Sequence, residues 1–247
     1  RNPSDAKYGY RTYRCDDCGM TKYDIQQATG TTKTVVPNVK FNTKDHDAYV
    51  NGYKDGTVKP NGEITRAEVA AILYRVMDSK SVDKYYTTKN SFKDVDADKW
   101  YNTYISTLDN AGVITDSRNG YFRPDEAITR AELAVMLAQF ADVADVKTEG
   151  FTDVSARHWA AEEIAIAEYK GWITGYKDGS FHPDATITRA EMMTMINRAL
   201  ERGVDEKGLV KGYKDWTDNV EGKWYYYEVL EASNGHDYRG SRPNETW

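Results

Sequence analysis

The chain of 247 residues is long enough for one or two domains with a sizeable core. Its net charge is −6, with acids and bases interspersed rather than blocked, which excludes the basic stripe of a nucleic-acid-binding protein. No apolar run approaches the roughly 18–20 residues that span a bilayer, so no membrane insertion is expected.

The chain opens at Arg1 rather than methionine and reads as a segment of something longer. Residues 1–40 form an N-terminal segment or linker. Within it, "YGYRTYR" (Tyr8–Arg14) and "TKTVV" (32–36) have β-type composition around a single C-x-x-C, Cys15 to Cys18, and predict a short hairpin. A zinc centre takes about four ligands, and there is no second C-x-x-C. His46 is too distant to make a strong case. A local disulfide, half of a metal site completed elsewhere, and a metal site here all remain open. No metal and no cofactor is assigned.

From residue 41 onward the chain repeats itself. "EITRAE" (Glu63–Glu68) returns as "AITRAE" (Ala127–Glu132) and "TITRAE" (Thr186–Glu191). Phe92 and Phe151, Asp94 and Asp153, Trp100 and Trp159, and Arg130 and Arg189 share a spacing of 59 residues, and one period for four markers defines a repeat. Each unit reads F-x-D-V, a tryptophan-led helix, a glycine-containing loop, a proline, then I-T-R-A-E and a second helix.

Tyr104, Ile105 and Leu108, and likewise Ile164 and Ala167, carry the first helix at helical spacing, with Gly112 and Gly171 as stops. Thr65, Thr129 and Thr188 are N-cap residues with Glu68, Glu132 and Glu191 three positions on, which spells a capping box. Val69, Ile72, Leu73 and Val76, then Leu133, Met136, Leu137 and Phe140, then Met192, Met195, Ile196 and Ala199 form the apolar faces.

The first unit lacks its front half, and the C-terminal "WTDNVEGKWYYYEVLEASN" supplies one: Trp216, Asp218 and Trp224 keep the offsets of Phe92, Asp94 and Trp100. The expected organisation is repeat 1 at 41–90, repeat 2 at 91–148, repeat 3 at 149–208, and a half-repeat at 209–247 that completes repeat 1. The expected fold is mainly α: three helix–loop–helix units closed into a pseudo-threefold bundle. Closure removes the apolar ends of an open solenoid.

The capping box explains threonine and glutamate but not arginine. Arg66, Arg130 and Arg189 sit at the first helical position, where the helix dipole disfavours a cation by about 0.3–1 kcal/mol. They call for a partner. That partner is either a carboxylate within the fold, with the F-x-D aspartates the first choice, or an anionic ligand at the helix N-terminus.

The pattern F-x-D-V … W … G-Y-x-D-G-x-F-x-P … I-T-R-A-E resembles the S-layer homology domain of bacterial surface proteins. Repeat 3 carries it most fully, as "FTDVSARHWAAEEIAIAEYKGWITGYKDGSFHPDATITRAEM", and the likeness covers about residues 41–247. It implies a noncovalent anchor for a larger secreted protein, outside the cell on the wall or S-layer. The implied ligand is a secondary cell-wall polysaccharide bearing pyruvate ketals on N-acetylmannosamine.

Carried over position by position, Arg66, Arg130 and Arg189 would face the ligand carboxylate. Trp100, Trp159 and Trp224 would stack on sugar rings, and Asp94, Asp153 and Asp218 would accept hydroxyls. Gly52 and Gly175 would allow close backbone approach beside Tyr53 and Tyr176. Each position also has a packing reading: helix-leading tryptophans as core, aspartates as caps or arginine partners, and glycines as turn residues. Repeat 2 departs from the pattern, with Asp116 and Ser117 in place of Gly and Tyr, so the grooves of Arg66 and Arg189 are expected to be the competent ones.

An enzyme is not expected, because carboxylates at fixed offsets in every unit look architectural and no G-x-S-x-G, H-E-x-x-H or P-loop occurs. "DVDADKW" imitates the start of an EF-hand loop, but Lys99 and Ile105 occupy the positions that need glycine and glutamate. The alternative function is a protein–protein docking or lattice module without sugar specificity. The expected partner is a cell-wall polysaccharide, and the module itself is expected to be monomeric.

Overall fold

Three threonines begin the helices around which the rest of the chain packs. The computed structural model describes residues 8–14, 21–27, 33–34, 37, 39–114, 119–242 and 245–247, the first three runs by backbone alone. Thr65, Thr129 and Thr188 hold extended backbone at the N-cap. Their hydroxyls accept the N–H of Glu68, Glu132 and Glu191, whose carboxylates return to the cap N–H. All three capping boxes read from the sequence are therefore formed, and each contributes about 1 kcal/mol through its cap.

The described chain is mainly helical, as expected. The helices are α1 (Arg66–Arg75), α2 (Ser79–Tyr85), α3 (Asn102–Asn110), α4 (Arg130–Ala138), α5 (Ala161–Tyr169), α6 (Arg189–Ala199) and α7 (Tyr226–Ser233). Helix α2 was not anticipated. It starts at Asp78, whose side chain accepts the Ser81 N–H at 2.8 Å, an N-cap signal present in the sequence.

Strand β1 (Tyr8–Arg14) pairs antiparallel with β2 (Thr21–Gln27), Tyr8 facing Gln27 and Arg14 facing Thr21. The partner of Tyr8–Arg14 is thus the nearer segment rather than "TKTVV". That stretch supplies β3 (Lys33–Thr34), paired with β4 (Val143–Ala144). Cys15 and Cys18 lie outside the described residues, as do Asp116 and Ser117.

The helices pack in pairs, α1 on α3, α4 on α5 and α6 on α7, so each helix that follows I-T-R-A-E rests on a tryptophan-led helix further along the chain. The apolar residues read at helical spacing on α1, α4 and α6 are all buried, with Ile105, Leu108, Ile164, Ala167 and Val229 facing them. Burial of each large aliphatic contributes about 1.5–3 kcal/mol. Helix α4 is buried along its whole length; a helix enclosed on every side is central rather than amphipathic.

The segments entering α1, α4 and α6 also pair with one another, through antiparallel bridges Thr65–Ala127, Thr129–Thr186 and Glu63–Thr188. Among the described residues, no helix is long and apolar enough to cross a membrane.

Candidate functional site

The arginine of I-T-R-A-E finds its partner in the fold. Arg66 Nε donates to the Phe122 carbonyl at 2.8 Å, Arg130 Nε to Phe181 at 2.7 Å, and Arg189 Nε to Val58 at 2.8 Å. The same guanidinium reaches the capping-box glutamate of that neighbouring unit: Arg66 to Glu132 at 3.0 Å, Arg130 to Glu191 at 3.2 Å and Arg189 to Glu68 at 3.4 Å. Each link runs to the next unit, and the third returns to the first. Of the alternatives open at the sequence level, the carboxylate within the fold is occupied, but it is the glutamate and not the F-x-D aspartate.

The helix amides expected to greet an anion are also engaged. Arg66 and Ala67 N–H donate to the carbonyls of Glu126 and Pro124, Arg130 and Ala131 to Ala185 and Pro183, and Arg189 and Ala190 to Gly62 and Pro60, all at 2.8–2.9 Å. The third amide of each helix goes to its threonine cap. The first-turn donors that would make an anion site therefore hold the next unit's turn instead.

The aspartates have a comparable task. Asp94 accepts the N–H of Phe122 and Arg123, Asp153 those of Phe181 and His182, and Asp218 those of Val58 and Lys59, at 2.7–2.9 Å. Arg123, His182 and Lys59 all have positive φ, 62°, 54° and 52°, although each precedes a proline and bears a Cβ. Holding such a residue there costs about 1–3 kcal/mol, and the paired carboxylate oxygens offset it.

Burial pushes the Asp153 carboxyl up, but the two N–H donors outweigh it and hold the group below the usual aspartate range. Its contribution is accordingly present above that range and lost as pH falls through the depressed folded value. Asp153→Ala is expected to cost about 2 kcal/mol. The loss is read as a lower urea midpoint at neutral pH, with the gap to the wild type narrowing in acid; an unchanged midpoint would show the carboxylate to be idle.

At Gly52 and Gly175 the close approach is to an aromatic ring. A Cβ at Gly175 would stand 2.8 Å from the Phe151 ring and 2.7 Å from the Ser180 carbonyl, and one at Gly52 would overlap the six-membered ring of Trp216. The tryptophans expected as either platform or core are exposed: Trp100 59 %, Trp159 42 % and Trp224 62 %. Each stands two residues before its helix, in the preceding turn, which takes it off the apolar face.

Of these, Gly175 and Trp224 meet in a groove of about 320 Å³, lined also by Arg130, Tyr176, Glu191 and Arg198. The Arg130 guanidinium lies 5.0 Å over the Tyr176 ring, and the Tyr176 hydroxyl donates to Glu191 at 3.0 Å. Arg198, which the sequence reading missed, forms the far wall and donates to the Thr174 hydroxyl at 3.0 Å. Burial and the neighbouring Arg242 charge hold its guanidinium below its ordinary range.

Another hollow, of about 380 Å³, lies against Phe151, Val154 and Ile164. It has one lysine on its wall, Lys147, and none of the predicted arginines or tryptophans. The smaller groove is the better candidate because an aromatic platform and two guanidinium groups meet there.

Because each arginine serves the following unit, the pairing of arginine with loop shifts by one. Arg189 lies 5.2 Å over Tyr53 and Arg130 over Tyr176, whereas Arg66 packs on Phe122 at 4.8 Å, in the unit whose loop departs from the pattern.

Comparison with known proteins gives a consistent picture. The S-layer homology domain matches at residues 47–70, 91–134 and 150–193. The chain is 32 % identical over 203 residues to a cellulosome-anchoring protein of Acetivibrio thermocellus, covering 80 % of this chain and 44 % of that one. It is 30 % identical over 170 residues to an S-layer protein of Bacillus thuringiensis subsp. finitimus, covering 67 % and 20 %. With an amylopullulanase of Thermoanaerobacterium thermosulfurigenes it shares 32 % identity over 161 residues, 62 % and 8 % of the two chains. The chain spans less than half the length of each of these relatives.

Proposed function

Since the chain belongs to the S-layer homology family, we propose that it is a non-catalytic, extracellular module that anchors a larger protein to the cell wall. Its ligand is an acidic secondary wall polysaccharide with pyruvate ketals on N-acetylmannosamine, gripped in grooves between repeats. The observation that carries this reading is the groove of Arg130, Tyr176, Arg198 and Trp224: two guanidinium groups suit a ketal carboxylate, and an exposed indole suits a sugar face.

The same register supports a second groove. Arg75 follows Arg66 by nine residues, as Arg198 follows Arg189, which would gather Arg189, Tyr53, Arg75 and Trp100. In the third, Gln139 stands in that place and the tyrosine is Ser117, so we assign it the weakest binding. The organisation proposed is a pseudo-threefold bundle in which residues 209–247 complete repeat 1, a reading supported by the Asp218 contacts with Val58 and Lys59. The module acts as a monomer, and two grooves on one body gain avidity from effective concentration.

One relative is an amylopullulanase, and this module would be the anchoring part of such a protein. The test is cosedimentation with Gram-positive walls, with and without their secondary polysaccharide. Trp224→Ala and Arg198→Ala change groove walls that lie outside the arginine clamp. Each is expected to weaken binding about tenfold or more while leaving the thermal midpoint in place. Equal sedimentation of folded variants removes the groove assignment, and equal binding to stripped walls favours a protein-docking module.

A further inference from the structure

Four ionisable side chains, from the segment before α1 and from α7 and the segment after it, meet outside the residues that line the groove. His46 precedes the first repeat helix, Glu231 lies on α7, and His236 and Glu245 follow it. His46 Nδ1 lies 3.1 Å from His236 Nε2, 3.1 Å from Glu245 Oε1 and 3.7 Å from Glu231 Oε1. His236 Nε2 is 3.0 Å from Glu245 Oε1 and 3.4 Å from Glu231 Oε1. All four atoms fall within 4.8 Å of one another.

A tetrahedral zinc with ligands at about 2.0–2.1 Å has ligand–ligand edges of about 3.3 Å. The five edges given above scatter around that value. Glu231 is fully buried, yet its Oε1 accepts no hydrogen bond and points into the cluster.

The other end of three of these side chains is fixed. His236 Nδ1–H donates to the Asn234 carbonyl at 3.1 Å, which leaves the Nε2 lone pair facing inward. Glu231 Oε2 accepts Trp247 Nε1–H at 3.3 Å and Glu245 Oε2 accepts the Gly203 N–H at 3.2 Å. Such outer contacts orient metal ligands. His46 is stacked on Tyr238 with ring centres 3.6 Å apart, and His236 on Trp247 at 4.1 Å, so neither imidazole can turn away.

Burial, and then the Glu245 charge, push the Glu231 carboxyl up to about 7. Burial also pushes Glu245 up, but bonds from His236 and His46 bring it down to about 2. Arg202 packs behind the cluster, its guanidinium committed to the carbonyls of Asn42, Asp45 and Asp47. An open hollow of about 700 Å³, walled by Asp45, Asp47, Asp237 and Lys44, leads to both histidines and gives a cation an acidic approach.

We propose that His46, Glu231, His236 and Glu245 bind a divalent transition cation of the zinc type, which staples the start of the repeat region to the segment after α7. Two imidazole nitrogens disfavour calcium and magnesium, which take oxygen ligands, and an N2O2 tetrahedron suits zinc. The two carboxylates supply the charge that a dication balances. The site joins residues nearly the whole folded length apart, already linked by the His46–His236 bridge and by the Tyr49 and Val50 N–H bonds to the Ala232 carbonyl.

The test uses the chain with Cys15→Ser and Cys18→Ser, which removes the thiols as competing ligands. The protein is stripped with a chelator, mixed with zinc chloride, desalted and assayed for metal. About one zinc per chain is expected to remain, with a higher thermal midpoint, and cobalt in its place should give the intense visible bands of tetrahedral geometry. His236→Ala should lower the content to about a tenth or less; if it fails to fold, Glu245→Gln and the cobalt spectrum of the unaltered site decide instead. Retention below about a tenth of an equivalent by the otherwise unaltered chain, or full retention by a folded His236→Ala variant, reduces the cluster to a hydrogen-bonded network and overturns the proposal.

Discussion

Arg66→Ala is expected to lower folding stability by about 3 kcal/mol, seen as a lower denaturant midpoint with an unchanged slope. The side chain is fully buried and bridges two units, through its Nε to the Phe122 carbonyl and through its guanidinium to Glu132. Alanine would leave that carbonyl without its Nε donor and deprive a buried carboxylate of its nearest cation. Arg123, 3.1 Å from Glu132, stays behind, which is why the lower end of the usual cost for breaking a buried pair applies. Glu132→Gln added to Arg66→Ala should recover part of the loss.

The pH dependence follows the same pair. Burial raises the Glu132 carboxyl, the Arg66 charge and the Thr129 N–H outweigh it, and the group stays below the usual glutamate range. The stabilisation is present above that range and lost as pH falls through the depressed folded value. The variant should therefore differ least from wild type in acid. A constant difference from neutral to strongly acid pH would remove the ion pair from the explanation and leave lost packing.

Gly52→Ala is expected to cost a similar amount, about 3 kcal/mol, without touching any polar group directly. The new methyl would occupy the space of the buried Trp216 ring. Trp216 cannot retreat freely, because its Nε1–H donates to the Ser233 hydroxyl at 2.9 Å and Lys214 covers its face at 3.8 Å. Displacing the indole would part the 209–247 segment from the loop of repeat 1. Near-ultraviolet circular dichroism and the urea midpoint would report it. Trp216→Phe in the same chain should restore part of the midpoint, since phenylalanine fills that position in repeats 2 and 3, as Phe92 and Phe151. If Gly52→Ala alone is neutral, the ring has room to move and the glycine is there for another reason.

The three helices that follow I-T-R-A-E, and their starts, were legible in the sequence because caps and apolar faces act within a few residues. Thr65 to Glu68 is such a local device, and so is the Val69, Ile72, Leu73 face. The partner of each arginine was not, because nothing in I-T-R-A-E reveals that its guanidinium spans to the next copy's glutamate. Trp224 was a fair candidate whose exposure hinged on standing two residues before its helix rather than within it. Arg198 had only a register signal, shared with Arg75, and the four-residue cluster of His46 had none, since its members are brought together only where the segment before α1 meets α7 and the residues after it.

The links that leave one unit and enter the next have a further consequence for assembly. Each unit offers two unlike faces: an arginine with helix amides on one, and carbonyls with a capping glutamate on the other. Head-to-tail contacts of this kind can extend without limit when they stay open and are exhausted when they meet. Here the Arg189 link to Val58 and Glu68 returns to the starting unit, so every face is already taken. Molecules crowded side by side on a surface therefore have no spare copy of this contact with which to polymerise, and any two-dimensional array they join must be held by surfaces other than the ones that fold them.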